Sequence, residues 1–116
     1  METPTAQQIT DYADMFAALG NEARLRILRL LLAAHPDGMV VGEIQTELGI
    51  PNSTLSHHLE RLKHEGLVRV RRDRQFLWYS ANTPSLEALT RFLFSECCSR
   101  NNVVKLENIL VDLETK

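Results

Sequence analysis

Two helical patterns separated by only three residues constrain the fold of this chain more than any other feature. In VGEIQTEL and in NSTLSHHLERLKH the apolar residues recur three or four positions apart, and only the tripeptide GIP (49–51) lies between them. We expect Asn52 or Ser53 to cap the second helix and Gly66 to end it. Two short helices joined so tightly must cross steeply, which predicts a helix-turn-helix over residues 41–65.

After Gly66 the sequence period changes from helical to alternating. LVRVRR places valines on one face and arginines on the other, and QFLWYS is rich in residues that favour strands. Asp73 and Arg74 lie between these runs, where a turn is expected. The pattern predicts a two-stranded wing over residues 67–81, which must pack on the helices because a lone hairpin is only marginally stable.

Three further apolar patterns predict helices on either side of this unit. Residues 6–19 form the first, a second follows the potential cap Asn21, and the last covers 85–116 and runs through the chain's two cysteines. The apolar positions are Ile9, Tyr12, Ala13, Phe16 and Leu19 in the first helix and Leu25, Leu28, Leu31 and Leu32 in the second. The predicted fold is mainly α with a two-stranded β-hairpin. It is a single winged helix-turn-helix domain over residues 1–116, in the order helix-helix-helix-helix-strand-strand-helix.

The net charge of −2 is distributed unevenly along the chain. Residues 52–74 contain six basic and three acidic side chains, a net +3, whereas the remainder carries −5. A basic segment on an otherwise acidic protein is the pattern expected of an element that contacts DNA. A solvated charged face is the alternative reading of this segment taken alone.

The helix-turn-helix layout indicates which residues would contact DNA. The N-terminal part of the second helix enters the major groove, and short polar side chains there suit base edges or phosphates. Arginines on the wing would contact the DNA backbone or the minor groove. The predicted DNA-binding residues are Asn52, Ser53, Thr54, Ser56, His57, Arg61, Arg71, Arg72 and Arg74.

His57 and His58 raise the question of a metal site. Consecutive residues on a helix point about 100° apart, so the two rings chelate poorly together. His57 is therefore interpreted as a DNA-facing donor and His58 as a packed or half-exposed residue.

Cys97 and Cys98 are the only cysteines in the chain. Because the N-terminus resembles no secretory signal and no long apolar run is present, we expect a cytoplasmic, reducing compartment, no membrane association and free thiols. Neighbouring Cα atoms lie about 3.8 Å apart, below the roughly 4.4–6.8 Å that disulfides prefer. A bond between the two sulfurs would be strained.

The runs STLSHHLERLKHEGLV and RVRRDRQFLWYS, with the earlier LGNEARLRILRLLL, resemble the ArsR/SmtB family of metal-sensing bacterial repressors over about residues 9–99. The resemblance implies a homodimer built through the first and last helices. It also implies repression of an operator in double-stranded DNA and release when an inducer binds. The Asp73–Arg74 turn departs from the family, in which glycine is frequent.

The cysteines resemble those of an arsenic-sensing subgroup with a Cys-Cys pair at the end of the last helix. VGEIQTEL lacks the Cys-x-Cys of other arsenic and cadmium sensors, and residues 86–99 lack the histidines of zinc sensors. The subgroup's third cysteine is missing here, where Val103, Val104 and Lys105 stand. Trivalent arsenic or antimony, inorganic or methylated, is therefore the expected inducer, with no permanent cofactor. The missing thiol favours an organoarsenical.

Other interpretations remain open from the sequence. The cysteines could be small core residues or redox sensors, and the fold could be a ligand-independent regulator or a protein-interaction module without DNA binding. An enzyme is not expected, because no catalytic Cys–His arrangement, phosphate-binding glycine loop or acidic metal cluster is evident.

Overall fold

The computed structural model describes residues 3–101 of the chain. The elements are α1 (Ala6–Leu19), α2 (Glu22–Ala33), β1 (Met39–Val40), α3 (Val41–Leu48), α4 (Asn52–His64), β2 (Val68–Asp73), β3 (Phe76–Ala81) and α5 (Thr83–Phe94). The predicted winged helix-turn-helix and its order of elements are confirmed, with one short strand added. None of the helices within residues 3–101 is both long and apolar enough to cross a membrane.

The sheet has three strands in the order β1-β3-β2, whereas a two-stranded hairpin was predicted. In β1, Met39 pairs with Tyr79 and Val40 with Trp78. Two residues are too short to show an alternating period, which is why the sequence pattern did not reveal β1. Gly38 precedes it with φ +82°, and a Cβ there would lie 2.0 Å from the carbonyl oxygen of Tyr79. Only glycine permits so close an approach.

The core forms where α2, α3 and α4 meet the base of the wing. The predicted apolar face of α4 is confirmed, since Leu55, Leu59 and Leu62 are all buried. Burying one leucine side chain stabilises a fold by roughly 1.5–3 kcal/mol. Within residues 3–101, the other fully buried large side chains are Ile27, Leu31, Ile44 and Leu67.

The apolar stripe predicted for α2 is only half right. Leu28 and Leu31 are buried with Ile27, but Leu25 and Leu32 are exposed. At 3.6 residues per turn, Leu25 and Leu32 share a face about 100° away from the centre of the buried one.

The described chain divides into two compact units, one ending at Ser85 and one beginning at Leu86 within α5. The predicted last helix, 85–116, begins slightly earlier, at Thr83, and ends at Phe94. The part of that prediction that covers 102–116, including the region of the missing third cysteine, lies outside the described residues.

Candidate nucleic-acid interface and thiol pair

The N-terminus of α4 carries no side-chain cap. Pro51 occupies the N-cap position, so the expectation that Asn52 or Ser53 caps the helix is wrong. Both residues lie instead within the first turn. The first hydrogen bond of the helix is donated by the Leu55 N–H to the Pro51 carbonyl, at 2.8 Å. The first backbone N–H groups of α4 therefore point outward beside exposed polar side chains, where the helix dipole favours an anion.

An open cleft of about 630 Å³ follows the outer side of α4. It brings together four of the predicted DNA-binding residues: Ser53, Thr54, His57 and Arg61. Its other lining residues are Arg24, His58, Glu60 and His64. Two arginines against one carboxylate give the cleft a net positive charge, and three histidines also line it.

Arg24 is the residue of this cleft that sequence reasoning missed. Its Nε donates to the carbonyl of Ala18, and its Nη1 lies 3.2 Å from His58 Nδ1. Its own backbone N–H is bonded by the Asn21 side chain at 3.0 Å, which confirms Asn21 as the cap of α2. One guanidinium thus links the end of α1 to α4. The cap was the only sequence signal at this point, because a contact across 34 positions has no local pattern.

The adjacent histidines His57 and His58 occupy different environments, as predicted. His57 is exposed, whereas His58 is half-buried against Arg24. Burial, followed by the positive charges of Arg24 and His57, lowers the pKa of His58. Among residues 3–101 no three or more His, Cys, Asp or Glu side chains are grouped to hold a metal ion.

Arg61, in the last part of α4, lies 4.0 Å from Glu65 and remains exposed. Asn52 and Ser56, the other two predicted residues of α4, are also exposed but do not line the cleft.

The three wing arginines that were predicted to contact DNA are all exposed. The Arg71 guanidinium lies over the Trp78 ring, 5.0 Å from its centroid, and 4.0 Å from Asp73. The Arg72 Nε donates to the Arg74 carbonyl at 3.3 Å. Arg74 starts a two-residue turn with φ +58°, in the left-handed region that favours glycine. The departure from glycine noted in the sequence therefore falls on a strained position.

The two thiols lie side by side in turns beyond α5. The helix was expected to run on to the cysteines but ends at Phe94, and the backbone continues in short i→i+3 bonds such as Cys97 N–H to Phe94 C=O at 2.8 Å. Cys98 has φ +63°, which no helix accommodates. The two Sγ atoms are 3.2 Å apart, half-buried and not disulfide-bonded.

The contact between the two sulfurs favours the protonated form of Cys97. The pKa of Cys97 is raised, first by its hydrogen bond to Cys98 and then by burial and by the charge of the neighbouring sulfur. A ligand that binds Cys97 as the thiolate must therefore displace its proton, since the thiolate is the ligating form.

Comparisons with known proteins place this geometry in context. A helix-turn-helix domain family matches residues 19–71. The transcriptional activator HlyU of Vibrio cholerae is 33% identical over 87 residues, covering 75% of this chain and 78% of that protein. The transcriptional repressor SdpR of Bacillus subtilis is 34% identical over 74 residues, covering 64% and 79%.

Solved structures show the same relationship. HlyU of Vibrio cholerae superimposes with a TM-score of 0.64 at 30% identity, covering 81% of this chain and 99% of that one, and its reduced form is also known. The homodimeric winged helix-turn-helix DNA-binding domain of Mb0332 from Mycobacterium bovis, a possible ArsR-family regulator, gives 0.61 at 28% identity and covers 90% and 100%.

The fold, the exposed N-terminus of α4 and the relatives of this chain all indicate the same class of protein. It is a winged helix-turn-helix transcriptional regulator and not an enzyme. These regulators act by binding DNA. The chain belongs to the ArsR/SmtB family.

Proposed function

We propose that this chain is a homodimeric repressor that leaves its operator when trivalent arsenic or antimony binds Cys97 and Cys98. The observation that carries the proposal is the 3.2 Å separation of two free sulfurs in a regulator of this family. In this proposal residues 6–19 and 85–116 dimerise, residues 41–65 read the major groove and residues 67–81 form the wing.

DNA binding through α4 and the wing is supported by three features. The N-terminus of α4 is uncapped, the side chains of its first turn are exposed, and the segment 52–74 is net basic. Asn52, Ser53, Thr54, Ser56 and His57 would contact base edges and phosphates. Arg61, Arg71, Arg72 and Arg74 would supply salt-dependent contacts with the DNA backbone.

Dimerisation is supported by the outer face of α1. Ile9 and Phe16 are 49% and 38% exposed, and both lie nearly opposite Ala18, the buried residue of that helix. An exposed apolar stripe that faces away from the core marks a surface that another protein chain can bury. A second copy of the chain is the partner that the homodimeric relative Mb0332 indicates. A twofold dimer would place two α4 helices about one turn of DNA apart.

A thiophilic inducer is supported by the chemistry of the sulfur pair. A monomethyl arsenous acid, CH₃As(OH)₂, reacts with two thiols to form two As–S bonds and releases two waters, which carry the thiol protons. Two neighbouring cysteines provide this chelate without ordering a long loop. Inorganic arsenite would keep one hydroxyl after binding both sulfurs, so it requires a third thiol for full sulfur coordination. The methylated species is therefore the preferred inducer.

Thiol oxidation is the second candidate signal, because the sulfurs already touch and a relative, HlyU, is known in a reduced form. Hydrogen peroxide would oxidise both thiols to a disulfide, taking up their two electrons and two protons and leaving as two waters. The short Cα separation of adjacent residues disfavours the internal disulfide, so this candidate ranks below the arsenical. A regulator that ignores both signals is the remaining alternative.

A DNA-release titration distinguishes these candidates. A fluorescent duplex, selected from a random pool by the full-length protein, is titrated at fixed salt with methylarsenite, antimonite, inorganic arsenite, zinc and peroxide. We expect methylarsenite to release the wild type at the lowest concentration and to leave the Cys97→Ser/Cys98→Ser variant bound. Unchanged release from the variant, or release by peroxide alone, would refute arsenic sensing by these thiols.

A further inference from the structure

The tip of the wing exposes two consecutive large apolar side chains. Phe76 and Leu77 are 52% and 43% exposed, although the rest of β3 is half-buried or buried. Neither residue belongs to the DNA contacts predicted from the sequence. Single exposed apolar residues are common, but a pair beside a tight turn within a cluster of arginines needs an explanation.

The strand register assigns the two side chains to opposite faces of the wing. Leu77 pairs with Arg72 on the face that continues to the buried pair Val68 and Ala81. Phe76 pairs with Asp73 on the other face. Phe76 therefore points away from the core, and Leu77 continues the face that packs on the helices.

The outer face that holds Phe76 is aromatic and positively charged. Its next cross-strand pair is Arg71 and Trp78, whose guanidinium and ring are stacked at 5.0 Å. Arg74 lies in the turn beside Phe76, and its carbonyl is held by the Arg72 side chain. Between positions 68 and 75 there are four arginines and one aspartate. This charge fits a polyanion, and one exposed ring at the hairpin tip, unlike the whole ribbon, can enter a minor groove about 6 Å wide.

We propose that Phe76 is an apolar wedge that enters the minor groove of operator DNA and opens a base step, while Arg74 contacts the flanking phosphates. This inference rests on the proposed DNA binding. Side chains such as Phe unstack a step more easily where the sequence is flexible, as at TA and CA/TG steps. The wing would thus distinguish base steps by how easily they deform, at a position where no side chain forms hydrogen bonds with the base edges.

The size of the effect follows from the exposed half of the ring. Burying that half on binding corresponds to an affinity loss of about 4- to 12-fold for Phe76→Ala. The salt dependence of binding should stay unchanged, because no charge is removed. By contrast, Arg74→Gln should lower the slope of log K against log salt by about 0.9, the value for one phosphate.

The test uses the full-length protein and a selected duplex that carries a TA step where the wing lies. Phe76→Ala should weaken binding, Leu77→Ala should not, and Phe76→Leu should retain most of the affinity. Replacing TA by AA should weaken the wild type but not Phe76→Ala. A 2-aminopurine in the step should brighten on binding of the wild type only.

Three results would overturn the wedge: equal affinity of Phe76→Ala and wild type, an equal loss in Leu77→Ala, or the same TA preference in Phe76→Ala. Binding of the tip to vesicles of phosphatidylglycerol and phosphatidylcholine, lost in Phe76→Ala while duplex affinity is kept, would also overturn it in favour of a lipid surface. A wild-type protein that enriches no duplex would instead refute the proposed DNA binding itself.

Discussion

The backbone strain at Arg74 leads to a prediction in which stability and DNA affinity move in opposite directions. Arg74 holds φ +58° at the first position of the two-residue turn that joins β2 to β3. For a residue with a Cβ, this region costs roughly 1–2 kcal/mol. Glycine removes that cost but adds roughly 0.5–1 kcal/mol of chain entropy to the unfolded state.

Arg74→Gly should therefore stabilise the fold by about 0.5–1 kcal/mol, which is about 2–4 °C in Tm for a chain of this size. The hydrogen bond from Arg72 to the backbone carbonyl at 74 does not depend on the side chain and should persist. DNA affinity should fall, because one cation beside the phosphates is lost. Two measurements are needed: thermal unfolding by circular dichroism, and binding to a labelled duplex over a range of salt concentrations.

Matched variants separate the two effects. Arg74→Gln removes the charge but keeps the Cβ, so it should weaken DNA binding as much as Arg74→Gly without raising Tm. Arg74→Asn should fall between them in Tm, since asparagine tolerates the left-handed region. A lower Tm for Arg74→Gly than for Arg74→Gln would refute the reasoning.

Three further predictions concern the core, the dimer and the cleft. Gly38→Ala should lose at least about 2 kcal/mol in urea unfolding, because its Cβ would collide with the Tyr79 carbonyl at a left-handed φ; a loss below 0.5 kcal/mol would contradict this. Phe16→Glu should be monomeric in sedimentation while Leu25→Glu, a matched exposed position on α2, stays dimeric; two dimers would exclude the α1 face. The pKa of His58 is lower in the folded protein than in the unfolded chain, so the unfolded state binds more protons near pH 6. The stability that neutral His58 contributes is therefore present above about pH 6.5 and is lost as the pH falls below that value. His58→Gln should therefore flatten the decline of Tm between pH 7.5 and 5, and an unchanged decline would contradict the cause.

The sequence alone predicted those elements whose apolar residues follow a regular period. The leucines of α4 and the alternation of β2 report directly which side faces the core, so the helix-turn-helix and wing were recovered. Leu25 and Leu32 were wrongly included in the buried stripe of α2, because apolar residues on two adjacent helix faces do not indicate which face packs on the core.

Features set by long-range contacts had no sequence signal. The strand β1 depends on pairing across 38 to 40 positions and on the space that Gly38 leaves beside β3. The bond from Arg24 to His58 joins helices that share no local pattern. The cap of α4 was misassigned by one or two positions because Pro51 has no side chain that can accept a hydrogen bond, yet it takes the N-cap position.

The sequence predicted those properties of the candidate site that follow from residue type, such as which polar and basic side chains are exposed. All nine predicted DNA-contacting side chains are exposed, and four of them share one cleft. Their contacts with DNA remain a prediction. The adjacent sulfurs followed from the sequence, whereas the end of α5 at Phe94 and the left-handed backbone of Cys98 beyond it did not.

The central claim, that soft-ion binding at Cys97 and Cys98 is coupled to DNA binding, is tested most directly through its reciprocity. Methylarsenite binding to the full-length protein is measured by calorimetry with and without a saturating selected duplex. A coupling of about 1–3 kcal/mol predicts that the duplex weakens arsenical binding roughly 5- to 150-fold, by the same factor as the arsenical weakens DNA binding. Equal arsenical affinity with and without the duplex would contradict the account.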